Sequence, residues 1–335
     1  LEIAKMLNFT RALELLKKSN DILIVSHNRP DGDACGSMAA LEIALAATGK
    51  KVSCLLLSPL PQWYSFIFPT SPEVLGETVT SQQLNDGSFF DGDLVILVDV
   101  NCRNQLEGFV DYLEQKKQPV LVIDHHVTSD ALGDIEIVDT KAAAAGIVVY
   151  DLLTRDGFPI DRNVAEALFL AISTDTGWFR FGNTDNRTLA VVARLTECGA
   201  NPAKLYHEIY ENFSVEKFSL MVKMLQSIQI HFDGRYVEQQ ITQKDFQQTN
   251  ATASDSENLI DECRRIKTLQ AAALFVELAD GKVKCSLRST GSIDVRLIAQ
   301  KFGGGGHKAA AGVHLPGPLE KAKKMICDEI AKVLR

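Results

Sequence analysis

Short apolar runs alternate with helix-spaced apolar positions through the first half of the chain, the pattern of a doubly wound α/β sheet. Asp21-Ile22-Leu23-Ile24-Val25-Ser26 reads as a buried strand, followed by a turn at Pro30-Asp31-Gly32-Asp33. A helix is expected from about Cys35 to Thr48, ended by Gly49. Further strands are expected at Lys51–Leu57, Asp93–Asp99 and Val120–Asp124, whose unbroken apolar character suits parallel strands buried on both faces. From about Ala143 to Asn212 the pattern turns helical. Asp161-Arg162-Asn163-Val164 marks a helix start, and Gly199-Ala200-Asn201-Pro202 a stop and restart.

Phe213 to Ile228 reads as a connecting helix, and a second domain follows from near Ile230. Its strand-like runs are Tyr236–Ile241, Ala271–Leu278 and Lys282–Arg288, the last two joined by an Ala279-Asp280-Gly281 turn. Helices at about Asp294–Phe302 and Pro318–Leu334 flank the segment Gly303-Gly304-Gly305-Gly306-His307, and polar Gln247–Glu257 reads as a mobile loop. The expected α/β layout is a doubly wound, mostly parallel sheet domain over 1–212, a helical linker over 213–229 and a smaller α+β domain over 230–335.

Bulk properties narrow the function classes. With 335 residues the chain can bury a core without disulfides, and 46% hydrophobic with 23% charged residues is a soluble globular composition. No apolar run approaches the roughly 18–20 residues of a membrane span. The start, Leu1-Glu2-Ile3-Ala4-Lys5, lacks the layout of a secretion signal and has no initiator Met, as expected of a trimmed chain. Seven cysteines stand singly, without a CxxC pair, which argues against a disulfide framework or thiolate zinc and for a reducing cytoplasm. A net charge of −8 disfavours long nucleic acid, but not a small phosphorylated ligand held with cations.

Four segments of the first domain end a strand, or precede a helix, with His or Asp: His27-x-x-x-Asp31-x-Asp33, Asp99, Asp124-His125-His126, and Asp175 in Ser173-Thr174-Asp175-Thr176-Gly177. In a parallel sheet, C-terminal strand ends share one rim, where open α/β folds place ligands. A single Asp at such a place is usually a helix cap or turn former. The coincidence of all four segments outweighs that reading, because clustered carboxylates should not be buried unpaired. Divalent cations relieve the repulsion, and a carboxylate can bridge two of them. Mixed carboxylate and imidazole donors suit Mn²⁺, with Mg²⁺, Fe²⁺ or Co²⁺ as alternatives. Such an ion pair is the standard clamp for in-line attack at phosphorus. In the second domain, Arg288-Ser289 at a strand end and the four glycines before His307 and Lys308 suit phosphate recognition.

HNRPDGD (27–33), VDV around Asp99, DHH (124–126) and STDTGWFRF (173–181) resemble the ordered motifs of the DHH phosphoesterase superfamily. RSTGSIDVRLIAQKFGGGGHKAAAG (288–312) resembles the signature of the DHH-associated subfamily-1 domain, and the two together span nearly the whole chain. The resemblance implies that His27 and Asp31 bind one ion, Asp33, His125 and Asp175 another, and that Asp99 bridges them. It implies that Asp124 orients an imidazole and that His126 faces the scissile phosphate. Arg288, Ser289, Gly304, Gly305, Gly306 and His307 would grip the rest of the nucleotide across an interdomain cleft, with Arg103 and Arg180 as further phosphate contacts or exposed salt-bridging residues. Ala142-Ala143-Ala144-Ala145 departs from the pattern, since many relatives carry Ser or Thr there.

The length matches the compact branch of the superfamily that contains bacterial nano-RNase/pAp phosphatases. The expected activity is therefore hydrolysis of short RNAs and pAp by a metal-activated water, without a covalent intermediate. A phosphodiesterase of linear or cyclic dinucleotides and an exopolyphosphatase are the enzyme alternatives, and a non-catalytic nucleotide-binding regulator the other. Long duplexes and membranes are not expected partners; a homodimer is compatible with the resemblance.

Overall fold

The computed structural model describes residues 2–115, 118–257, 259–306 and 308–334. The chain divides into two compact units, Leu1–Glu211 and Asn212–Arg335.

The first unit begins with α1 (Glu2–Lys18), β1 (Asp21–Val25), α2 (Gly32–Ala46), β2 (Lys51–Leu56), a 3-10 turn at Gln62–Ile67, β3 (Glu73–Val74) and α3 (Ser81–Asn85). It continues through β4 (Leu94–Val98), α4 (Val110–Gln115), β5 (Val120–Asp124) and β6 (Ile135–Val138). Helices α5 (Ala145–Arg155), α6 (Arg162–Asp175), α7 (Asn186–Glu197) and α8 (Pro202–Tyr210) complete it. Its strands form one parallel sheet in the order β3-β2-β1-β4-β5-β6. Alternate strand residues feed two cores. Ile22, Ile24, Ile96, Val98, Leu121 and Ile123 pack with residues of α2, α5 and α6, while Leu23, Val25, Val95, Leu97, Val120 and Val122 pack on the opposite side.

In this unit α1, α3, α4, β3 and β6 lie outside the expected set. The two residues of β3 carry no periodic signal, and β6 buries only Ile137 fully. The start of α2 is also corrected, from Cys35 to Gly32. Asp31 caps it by accepting the N–H groups of Asp33 (3.0 Å) and Ala34 (3.1 Å), so Pro30-Asp31-Gly32-Asp33 opens a helix rather than forming a separate turn. Helices α2 and α6 pack at glycine distance: a Cβ on Gly36 would stand 2.4 Å from the Ala167 carbonyl oxygen and 2.9 Å from Ala171 Cβ. That contact brings together the two helices that carry Asp33 and Asp175.

The second unit contains α9 (Val215–Gln226), β7 (Gln229–His231), β8 (Tyr236–Ile241), α10 (Gln243–Thr249), β9 (Ala271–Glu277), β10 (Val283–Ser289), α11 (Val295–Gln300), β11 (Gly305–Gly306), β12 (Ala310–Leu315) and α12 (Leu319–Val333). Its sheet is mixed, in the order β11-β12-β10-β9-β8-β7. The helix expected as a connector, α9, packs inside this unit, its Leu220 and Met224 buried with Val237, Ile241 and Leu274. Gln247–Glu257, expected as a loop, instead ends α10 and forms a 3-10 turn at Ala253–Ser256, with Thr242 and Thr252 at the two starts each engaged in a capping box. Among the described residues no helix is long and apolar enough to cross a membrane.

Candidate metal centre

The register of the first sheet brings the ends of β1, β4 and β5 side by side, with Val25 opposite Leu97 and Val98 opposite Ile123. His27, Asp99 and Asp124-His125-His126 therefore emerge together, beside the point where strand order reverses between β1 and β4. Ser26 reinforces the juncture by donating its hydroxyl to the Val98 carbonyl at 2.7 Å. Asp99 adopts φ 58°, a left-handed conformation that Asp tolerates better than most residues, and its N–H still donates to the Ile123 carbonyl. The strand thus ends at Asp99 while the residue stays fixed to its neighbour.

Each oxygen of Asp99 faces a different imidazole. Oδ2 lies 3.5 Å from His27 Nε2, and Oδ1 lies 3.5 Å from His125 Nε2. His27 Nε2 is also 3.9 Å from Asp31, while His125 Nε2 is 3.8 Å from Asp33 and 3.9 Å from Asp175. Three donor sets have ligand atoms all within 4.8 Å of one another: His27, Asp31 and Asp99; Asp33, His125 and Asp175; and Asp99, His125 and His126. In both His27 and His125, Nδ1 is turned to a backbone carbonyl, Asn28 at 2.9 Å and Ala142 at 3.2 Å. A carbonyl can only accept, so Nδ1 donates and Nε2 is left with a lone pair when the ring is neutral.

Asp33 is held as firmly. Its carboxylate accepts the N–H groups of Ala145 (2.5 Å) and Gly146 (2.9 Å) at the start of α5 and the Ser37 hydroxyl (3.0 Å). Asp124 is fully buried, and its Oδ1 accepts the N–H of His125 and Nδ1–H of His126, both at 2.8 Å. That leaves Nε2 of the more exposed His126 ring for another partner.

The ionisation of the cluster reflects crowded negative charge. Burial alone would lower the His27 pKa, but Asp99 and then Asp31 outweigh it and lift it to about 9. Burial also opposes charge on His125, yet Asp99, Asp33 and Asp175 raise it to about 10. Burial, then Asp99 and Asp175, push Asp33 well above the usual carboxylate range. Burial raises Asp175 to about 6, with His125 opposing and Asp99 and Asp31 adding to the rise. Asp99 goes the other way, to about 2, because the facing His125 and His27 rings overcome its burial. Protons collect where cations would otherwise neutralise carboxylates.

In the second unit, Arg288 is partly buried, its Nε 3.4 Å from Asp261 Oδ1. Ser289 is buried, and its hydroxyl accepts the N–H groups of Gly291 (3.0 Å) and Ile293 (3.4 Å), shaping the turn after β10. The glycine segment is ordered by strand pairing, Gly305 and Gly306 lying opposite Gly312 and Ala311. A Cβ on Gly304 would stand 2.3 Å from the Gly312 carbonyl oxygen, and Gly306 has φ 137°, so pairing itself requires glycine there. His307 lies outside the described residues. In the first unit, Arg103 is exposed and bonds Glu114 at 2.5 Å, and exposed Arg180 donates to the Gly177 carbonyl at 2.7 Å.

The DHH family N-terminal domain matches residues 21–172, and the DHHA1 domain matches residues 233–335. A bifunctional oligoribonuclease and PAP phosphatase, NrnA, of Thermus thermophilus is 30% identical over 96% of this chain and 93% of that protein. The chain belongs to the DHH family. Among solved structures, an exopolyphosphatase-related protein from Bacteroides fragilis shares the fold with TM-score 0.88, at 24% identity and covering 98% of this chain and 96% of that one. RecJ of Thermus thermophilus, solved in complex with Mn²⁺, aligns with TM-score 0.54 at 14% identity, over 98% of this chain and 55% of that one.

As a DHH-family member this chain is a hydrolase acting on phosphate esters. Its donor set suits divalent cations on three counts. Asp99 Oδ1 is buried without a hydrogen-bond partner, Nε2 of both His27 and His125 is freed by a backbone carbonyl, and the remaining donors are carboxylates. Sequence reasoning passed over the backbone of Ala142–Gly146, whose carbonyl and N–H groups orient His125 and Asp33. The run of small residues was the available signal. A Cβ on Gly146 would stand 2.7 Å from Ala171 Cβ and 3.4 Å from Asp33 Oδ1, so this helix start approaches closely only because the side chain is absent.

Proposed function

We propose that the chain hydrolyses short oligoribonucleotides and pAp to mononucleotides with the help of two divalent ions, Mn²⁺ by preference. The carrying observation is Asp99, whose two oxygens each stand 3.5 Å from a different imidazole, an arrangement suited to one carboxylate shared between two sites. In this reading His27 and Asp31 hold one ion, Asp33, His125 and Asp175 the other, and Asp99 both. Such ions supply Lewis acidity, making a water more acidic and drawing charge from phosphoryl oxygens. Oxygen and imidazole donors without thiolate favour Mn²⁺, with Mg²⁺ or Co²⁺ as substitutes. The substrate class is supported by the name of the Thermus thermophilus relative, which matches nearly end to end.

The chain's own residues have separable tasks. Asp124 fixes the His126 ring through Nδ1, so that Nε2 can meet a phosphate oxygen or a departing oxygen. The α5 start and Ser37 keep the Asp33 carboxylate in place, and Asn28 and Ala142 keep the two imidazoles turned. Arg288, Ser289, Gly304–Gly306 and His307 are proposed to select the nucleotide. Arg103 and Arg180 are proposed as outlying phosphate contacts. The test is incubation of the purified protein with Mn²⁺ and a panel of RNAs of two to five residues, pAp, cyclic di-AMP and polyphosphate. Turnover of the short RNAs and pAp is expected; turnover of polyphosphate alone would refute the substrate reading, and tight binding without hydrolysis under any divalent metal would refute the enzymatic one.

A further inference from the structure

A group of aromatic rings is built from the segment that follows Asp175 and from α8. Trp178 stands three residues beyond Asp175, its ring centroid 5.1 Å from that of Tyr206 and 5.6 Å from that of Tyr210. Tyr206 and Tyr210, one turn apart on α8, have centroids 5.0 Å apart and are 39% and 42% exposed. Both side chains are exposed at the surface of the first unit.

The backbone that presents Trp178 is unusual. Gly177, Trp178 and Phe179 have φ values of 55°, 58° and 64°, one continuous left-handed segment that includes two bulky side chains. It persists because it is tied on several sides: Trp178 N–H donates to the Ser173 carbonyl at 2.6 Å, Phe179 N–H to the Thr176 hydroxyl at 3.2 Å, and Asn183 to the Asp175 carbonyl at 3.2 Å. Held strain of this kind collects at ligand sites. On the other flank, Tyr64 sits on the 3-10 turn at Gln62–Ile67, which packs against α2, α6 and α8. Its phenol is raised by burial and then by the charge of Asp31, with Tyr210 also contributing. The turn that carries Tyr64 thus touches α2, which bears Asp33, α6, which ends at Asp175, and α8, which bears the two tyrosines, and so links the rings to the helices of the cluster proposed to act at phosphorus.

We propose that Tyr210 and Tyr206, backed by Trp178, form a stacking platform for a nucleobase of the substrate. The inference rests on the nucleotide reading above and deepens it. A phosphate at the cluster carries its base on the attached sugar, and the neighbouring ring faces are the surface such a base would meet. Every base has a π-face, so stacking tolerates mixed sequence, as an enzyme of short RNAs of any composition requires.

The test compares kcat/KM for pAp with that for ribose 3′,5′-bisphosphate, which keeps both phosphates but has no base. In Tyr210→Ala, and more so in the double variant with Tyr206→Ala, the preference for pAp should fall by about 5- to 150-fold, the equivalent of roughly 1–3 kcal/mol of stacking per base. The change should be carried mainly by KM. Tyr210→Phe keeps the ring and should keep the preference. An unaltered preference in Tyr210→Ala would overturn the platform, as would its loss in Tyr210→Phe. A changed molecular mass with unaltered preference would assign the rings to a second copy and likewise overturn it. If the unsubstituted protein hydrolysed neither compound, the nucleotide reading would fall first.

Discussion

Loading the centre with metal should expel protons, and their number can be counted. In the cation-free protein His27 and His125 are raised to about 9 and about 10, so both are almost wholly protonated at pH 7.5. An imidazole must be neutral to ligate, and each therefore gives up its proton as an ion arrives. Asp99 at about 2 and Asp175 at about 6 are already ionised and contribute little. Filling the centre with Mn²⁺ at pH 7.5 should therefore release about two protons, one from each imidazole. Calorimetric titrations in buffers of different ionisation enthalpy read this number directly. The same linkage makes apparent metal affinity rise with pH until about 9 to 10, where the imidazoles are already neutral. Release of no protons, or an affinity flat between pH 7 and 9, would refute the placement of these imidazoles as ligands.

Stability of the metal-free protein should show the complementary trend. The raised imidazoles contribute stability that is complete below pH 6.5 and lost as pH rises through about 9 for His27 and about 10 for His125. Melting in EDTA should thus weaken from pH 6.5 to 10, and saturating Mn²⁺ should flatten the decline; a steeper decline with metal would contradict the model of exchange between protons and cations. Asp99→Asn keeps the shape of the shared carboxylate but removes its charge, and should lower kcat by more than the roughly 10- to 100-fold typical of losing a supporting partner. Asp124→Asn, which removes the negative charge that His126 Nδ1–H donates to, should fall within that supporting range, with metal stoichiometry by elemental analysis unchanged. Gly36→Val forces apart α2 and α6, where even a Cβ meets the Ala167 carbonyl oxygen at 2.4 Å, and should cost about 1–3 kcal/mol or more. A differential scan in which this variant melts at or above the parent temperature would show that the helices yield freely.

Much of this molecule can be read along the chain because its central strands are continuous apolar runs. Ile22–Val25, Leu94–Val98 and Val120–Asp124 need burial on both faces, which implies a parallel sheet, and a parallel sheet implies a shared rim for the His and Asp that follow each run. Sequence alone therefore determined the sheet type and the company that His27, Asp99 and His125 keep. It could not register β3 and β6, whose two and four residues bury too little to leave a pattern. Nor could it show that Pro30-Asp31-Gly32-Asp33 caps a helix, because a turn and a helix start use the same residues for the same hydrogen-bonding reasons. The orientation of the centre was a tertiary decision. Which ring nitrogen of His27 and His125 stays free is set by the Asn28 and Ala142 carbonyls, and Asp33 is fixed by N–H groups more than a hundred residues away in sequence. Those partners are backbone atoms, common to nearly every residue, so only the fold could single them out.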